Sequence, residues 1–171
     1  MIICVGSVFL DHIVKINNFP KKPIKVLAQG IEKRLGGSAA VASFTIKKLG
    51  INTSFIGRLG NDDASKFLKN ELKKFKIKHN NIVEIKGVKS SQSFVYEDKR
   101  GERLLAAFSE KKLLNDKKLP KITFKKNTTV MSDLRWVEAT LYIAKNCNKN
   151  NLNHIVDLDN YELNKKIRQI I

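Results

Sequence analysis

Leu35-Gly-Gly-Ser-Ala-Ala40, with the run that follows it to Gly57, is where the hydrophobic period of the chain changes. Before it, Asp11–Ile16 and Ile24–Leu35 read as extended pieces around a turn at Pro20-Lys-Lys-Pro23. After it, Ala39, Ala42, Ile46 and Leu49 recur at spacings of 3, 4 and 3, the face of a helix. Gly50 suits the position just past that helix, where a left-handed backbone is favoured. Thr53–Ile56 then reads as a strand ending at Gly57. Extended segment, glycine turn, helix and strand in succession form the unit of an α/β fold with a mainly parallel sheet.

The remaining segments extend that alternation. Ile2–Val5 is a short apolar strand ending at Gly6, and Asn61-Asp-Asp63 supplies cap residues for a second helix with Ala64, Phe67 or Leu68, Leu72 and Phe75 inward. Shorter strands are expected at Ile82–Ile85, Ser93–Tyr96 and Arg103–Phe108, the last two joined by a hairpin turn at Asp98-Lys-Arg-Gly101. Thr128–Met131 is a further strand, Val137, Leu141 and Ala144 mark a third helix, and His154–Leu158 is another strand. Tyr161–Ile171 reads as a helix that stops abruptly on two isoleucines. The strands before and between the helices imply a small sheet standing off the main one.

The 171 residues suffice for one ordinary domain, and an apolar share of 42% excludes wholesale disorder. No apolar run is long enough to span a bilayer, and the first residues lack the basic start and cleavage site of a signal peptide. Cys4 and Cys147 lie far apart without any CxxC pairing, which excludes a disulfide scaffold and a cysteine zinc site. A reducing cytoplasm is the expected compartment. The net charge of +17 would suit a polyanion. Yet the lysines are spread along the chain and aromatic residues are few and scattered, so a nucleic-acid surface is not expected.

Chemistry is concentrated in four places. The Gly36-Gly37 turn allows close backbone approach, and the helix that Ser38 opens presents free N–H groups suited to hydroxyl or anionic ligands. It lacks the GK[ST] ending of a P-loop and is not GxGxxG. Asp11 closely follows the first strand, where ligands of an open parallel sheet bind, and its carboxylate can accept two sugar hydroxyls; capping of a local turn is the competing role. Asp133-Leu-Arg-Trp136 follows a later strand, where Arg135 offers a planar fork for phosphate, carboxylate or sulfonate. Asp157 and Asp159 end another strand, as a metal or base pair or as a solvated turn.

Several of these pieces match one family in order. Val5-Gly-Ser-Val-Phe-Leu-Asp11, Leu35-Gly-Gly-Ser-Ala-Ala40, Lys48-Leu-Gly50, Phe55-Ile-Gly-Arg-Leu-Gly-Asn-Asp-Asp63 and Gly101-Glu-Arg103 resemble the N-terminal part of PfkB (ribokinase-like) carbohydrate kinases. Ser90-Ser-Gln-Ser93, Gly101-Glu-Arg103, Ser132-Asp-Leu-Arg-Trp136 and Val156-Asp-Leu-Asp159 resemble the sulfofructose kinase branch most closely. The resemblance implies a three-layer α/β/α sandwich with a small β lid, built from about 11–35 and 82–108, often used for homodimerisation. It implies transfer of the ATP γ-phosphoryl group to a sugar hydroxyl, with Mg²⁺. Asp11 would bind sugar hydroxyls, Gly36, Gly37 and Ser38 would form the hinge against the sugar, and Arg135 would reach the substrate.

The chain also departs from the family pattern. Val41 stands where an Asn often touches the sugar, and Ala106-Ala-Phe108 stands where the sulfosugar branch carries a polar residue. The Gly-Ala-Gly-Asp run with the anion hole and catalytic base is not in the sequence, nor is the NxxE segment linked to Mg²⁺. The chain is therefore expected to be the N-terminal portion of one domain, holding the sugar side, lacking a catalytic residue and binding neither ATP nor Mg²⁺ tightly. The alternatives are a non-catalytic sugar-binding or dimerisation module and, less favoured, a basic nucleic-acid-binding protein.

Overall fold

The computed structural model describes residues 1–159 and Arg168. The helix expected at Tyr161–Ile171 lies, Arg168 apart, outside the described residues. The main sheet is wholly parallel and contains β1 (Ile2–Gly6), β4 (Thr53–Leu59), β5 (Val83–Glu84), β8 (Thr129–Asp133) and β9 (His154–Asp157), in the order β5-β4-β1-β8-β9. Alternation along β1 sends its side chains to two cores. Cys4 packs with Phe55 and Leu59 under α1 (Ser38–Lys48) and α2 (Asp63–Lys74). Ile3 and Val5 pack with Ile56, Val130 and Trp136 under α4 (Val137–Lys149). Helices on both faces make the three-layer α/β/α arrangement.

The chain leaves β1 for β4 and β5 on one side, then crosses back to β8 and β9 on the other. The strand order therefore reverses between β1 and β8, and the crevice beyond their carboxyl ends is where ligands of such sheets bind. A second sheet stands over this end, with β2 (Phe9–Lys15), β3 (Gly30–Gly36), β6 (Gln92–Glu97) and β7 (Arg103–Phe108) in the order β3-β2-β6-β7. The β6–β7 hairpin forms as expected. The Asp98 carboxylate, buried within the turn, accepts hydrogen bonds from the backbone N–H groups of Arg100 (2.8 Å) and Glu102 (3.1 Å).

Three expectations are corrected. The stretch 82–108 is not all lid: Val83–Glu84 pairs with Arg58–Leu59 in the main sheet, and the small sheet resumes only at Gln92. Residues 24–28 form no strand, and β3 begins at Gly30. The buried face of α4 is Ala139, Thr140, Ile143 and Cys147, not Val137, Leu141 and Ala144. Asp62 caps α2 as its position suggests, its carboxylate accepting from the Ser65 backbone N–H at 3.0 Å. It also accepts from Ser90, through N–H at 2.9 Å and Oγ–H at 2.6 Å, which ties the entry of β6 to the main sheet. Burial pushes this carboxyl up, but those hydrogen bonds outweigh it and hold the pKa below the usual value.

Candidate functional site

Beyond β1 and β8 lies a cavity of about 510 Å³. Its floor is the Gly6–Phe9 segment that leaves β1 and the 3-10 turn Leu134–Trp136 that leaves β8. The small sheet contributes Ala107, the residues flanking β6 and β7 contribute Ser91 and Ser109, and the short helix α3 (Lys111–Leu114) contributes its end. The cavity lining mixes apolar side chains with serines, Asn115, two arginines and Glu138, so it offers hydrogen-bonding and charged groups to a polar ligand.

Asp11 is not at the end of β1, as the sequence suggests, but inside β2. It stands opposite Arg34 on β3 and Ser93 on β6, which in turn stands opposite Ala107 on β7. These residues share one face of the small sheet, the face whose Ala107 lines the cavity. The Asp11 carboxylate accepts a hydrogen bond from Ser93 Oγ at 2.5 Å. Burial raises its pKa, which the Ser93 bond only partly offsets. Gly36 makes this placement possible, because a Cβ there would meet the Asp11 carboxylate. Gly37 packs against the backbone of Ser7 and Val8 in the cavity floor, so it supports the cavity from behind.

Ser38 and Arg135 are placed elsewhere. Ser38 is exposed at the start of α1 and lines a smaller cavity of about 200 Å³ with Met131, Ser132, Asp133 and Asp157. Arg135 lines the large cavity from the 3-10 turn, and its Nη2 donates to Asp159 at 3.2 Å. Asp157 in turn accepts from the Asp159 backbone N–H at 3.0 Å, so this acidic pair forms a turn that carries Arg135. Of the five predicted residues only Arg135 thus lines the cavity; Asp11 and Gly36 adjoin each other on the small sheet, Gly37 backs the cavity floor, and Ser38 lines the smaller cavity.

The N-terminus of α1 already holds an internal anion. The buried Asp133 carboxylate sits there, with Oδ2 accepting from Ala39 N–H at 3.2 Å, Ser7 N–H at 2.8 Å and Ser7 Oγ at 2.6 Å. Its Oδ1 accepts from Arg135 N–H at 3.0 Å. An internal carboxylate therefore meets the helix dipole and one of its orphan donors, while the Ser7 carbonyl accepts from the Ala40 N–H at 3.2 Å. Two residues with structural parts in the site were not singled out from the sequence. Asp133 stands in the sequence only as the neighbour of Arg135. Arg58 stands in the sequence only as part of a motif, and is a buried cation in the cavity wall.

The comparisons with known proteins agree with this fold. The model of the pfkB family carbohydrate kinases matches residues 1–170. A nucleoside kinase of Methanocaldococcus jannaschii is 26% identical over 103 residues, which are 60% of this chain and 34% of that protein. A solved protein of Agrobacterium tumefaciens, assigned as a ribokinase, superposes with a TM-score of 0.88 at 24% identity, over 99% of this chain and 55% of that one. Arabidopsis thaliana ribokinase, solved with ribose and ATP, superposes with a TM-score of 0.75 at 20% identity, over 97% of this chain and 56% of that one. The chain spans about a third of the curated relative and just over half of these solved structures. The fold is ribokinase-like, and with a family match over nearly its whole length the chain belongs to the pfkB family of carbohydrate kinases.

Proposed function

We propose that the chain is the N-terminal, acceptor-binding portion of an ATP-dependent carbohydrate kinase, in which a sugar hydroxyl receives the γ-phosphoryl group. The observation that carries this is the cavity at the β1/β8 crevice under the small-sheet face that bears Asp11. Asp11 accepts sugar hydroxyls there, with Ser93 holding its orientation. Arg135 faces the opposite end and suits an acceptor with an anionic substituent, in line with the resemblance to the sulfofructose kinase branch. The described residues do not fit a nucleotide phosphate at the glycine turn, because Asp133 already fills the α1 N-terminus. No donor site is assigned to them, and the chain alone is expected to transfer no phosphoryl group.

The test is the melting temperature with D-ribose, D-fructose, adenosine or D-fructose 6-phosphate. A ligand that binds only the folded chain must raise it. No response to any of the four overturns the proposal. Asp11→Asn should weaken the best acceptor about tenfold or more, the usual cost of losing a charge-assisted hydrogen bond. The sign of its stability effect is opposite. Burial raises the folded pKa above the unfolded one, so Asp11 detracts from stability as pH rises through the gap between them. At pH 7 the unliganded Asn variant should therefore melt no lower than the parent. Arg135→Ala should weaken D-fructose 6-phosphate about 10- to 100-fold and leave D-fructose nearly unchanged. Equal losses for both sugars would remove the anionic assignment.

A second observation supports a homodimer. On the opposite face of the small sheet Ile31, Tyr96 and Leu104 lie in one cross-strand row, and Phe94 adjoins them on β6. All four are exposed, with Ile31 at 70% and Leu104 at 59%. An apolar face of this kind favours pairing with a second copy, whether in a kinase or in a non-catalytic sugar-binding module.

A further inference from the structure

Arg58 on β4 is only 8% exposed, yet neither of its hydrogen bonds goes to a carboxylate. Nη1 donates to the Leu114 carbonyl at 2.7 Å and Nη2 to the Arg135 carbonyl at 3.3 Å. The guanidinium carbon lies 4.8 Å from the centre of the Trp136 ring. Glu138, Asp116 and Asp133 act on it only through their fields. Burying a guanidinium in this way costs free energy that an apolar side chain would not. What the cation supplies is a bridge. Leu114 ends α3, Arg135 lies in the turn after β8, and both line the cavity on different walls. Among the described residues, α3 is otherwise anchored mainly by Leu113, which packs with Ile85 and Val88, and by Glu110, whose carboxylate accepts from the Lys89 N–H at 3.1 Å. Both anchors lead to the β5–β6 connection and not to the turn that carries Arg135.

We propose that Arg58 is a positioning residue of the acceptor site: one guanidinium holds the Leu114 and Arg135 carbonyls, sets the spacing of the two cavity walls, and through them sets acceptor affinity. The affinity part rests on the cavity being the acceptor site; the clamp itself does not. The stack on Trp136 fixes the plane of the guanidinium, so that both carbonyls are reached at once.

The experiment uses the full chain with Arg58→Met and Arg58→Lys. Amide hydrogen exchange without ligand reads the clamp directly. Arg58→Met should speed exchange about tenfold or more at residues 111–116 and 134–137 and leave α1 and β1 unchanged, as local opening requires. Arg58→Lys keeps the charge but cannot fork to two carbonyls, so it should restore little. The only tryptophan in the chain is Trp136, so its emission reports this site alone. Emission should shift in both variants, and the sugar-induced change should need about tenfold more sugar. Exchange equal to wild type in the two segments, or faster exchange throughout the chain, overturns the clamp whatever the sugars do. A wild type silent to all four sugar probes overturns the acceptor-site assignment, and the exchange data then judge the clamp alone. If Arg58→Met does not fold, the same readings on Arg58→Lys decide it.

Discussion

Asp133→Ala should lower the unfolding free energy by about 3–5 kcal/mol, from three buried donors left without an acceptor at about 1–3 kcal/mol each, less what water recovers. The carboxylate accepts four hydrogen bonds from three parts of the chain: the end of β1 through Ser7, the first turn of α1 through Ala39, and the turn after β8 through Arg135. Its own exposure is 2%, so little water reaches the orphaned groups. At this chain length such a loss lowers the melting temperature by on the order of 10 °C. Asp133→Asn should cost less, about 1–3 kcal/mol, because one oxygen still accepts while the amide nitrogen faces a donor. Urea denaturation of both variants measures this. A loss below about 1 kcal/mol in the alanine variant would mean that the four contacts do not hold these segments together.

Most local features were legible because their causes are local. The Asp98–Gly101 hairpin follows from Asp98 accepting two backbone N–H groups within four residues of itself, and the α2 cap follows from Asp62 and Ser65. What was misread depends on distant partners. A two-residue strand such as Val83–Glu84 carries no mark of which sheet it joins; its partner, Arg58–Leu59, is far away in sequence. The spacing Ala139, Ile143, Cys147 fits a helix as well as Val137, Leu141, Ala144 does. The true face was hidden by Thr140, which is buried because its hydroxyl donates to the Asp133 carbonyl at 2.7 Å. Ser43 hides the α1 face similarly, with its hydroxyl donating to the Ala40 carbonyl at 2.6 Å, and Leu49, expected inward, is 72% exposed past the helix end. In the site, Asp11 and the glycines were found by type and order, whereas the parts of Asp133 and Arg58 consist of bonds to segments many residues away.

Gly37→Ala should be nearly as damaging as loss of Asp133, and comparison with Gly50→Ala separates its causes. Both glycines have a positive φ, +93° at Gly37 and +81° at Gly50. Each alanine variant therefore incurs backbone strain, at least on the order of 1 kcal/mol and more at Gly37, whose ψ of 135° lies outside the left-handed well. At Gly50 nothing lies within 4 Å of the added Cβ, so the strain is the whole effect. At Gly37 the Cβ would meet the Ser7 carbonyl oxygen at 2.7 Å and the Val8 Cα at 2.8 Å. These are backbone atoms in the cavity floor, held by the β1–Asp133 bonds on one side, and they cannot rotate aside as a side chain can. The total at Gly37 should reach about 3 kcal/mol or more, strain and displacement together. The displaced floor should also weaken the sugar-induced rise in melting temperature, which Gly50→Ala should leave intact. Equal stability losses in the two variants would show that α1 and the cavity floor are not in contact at this turn, and the glycine would then serve only its φ angle.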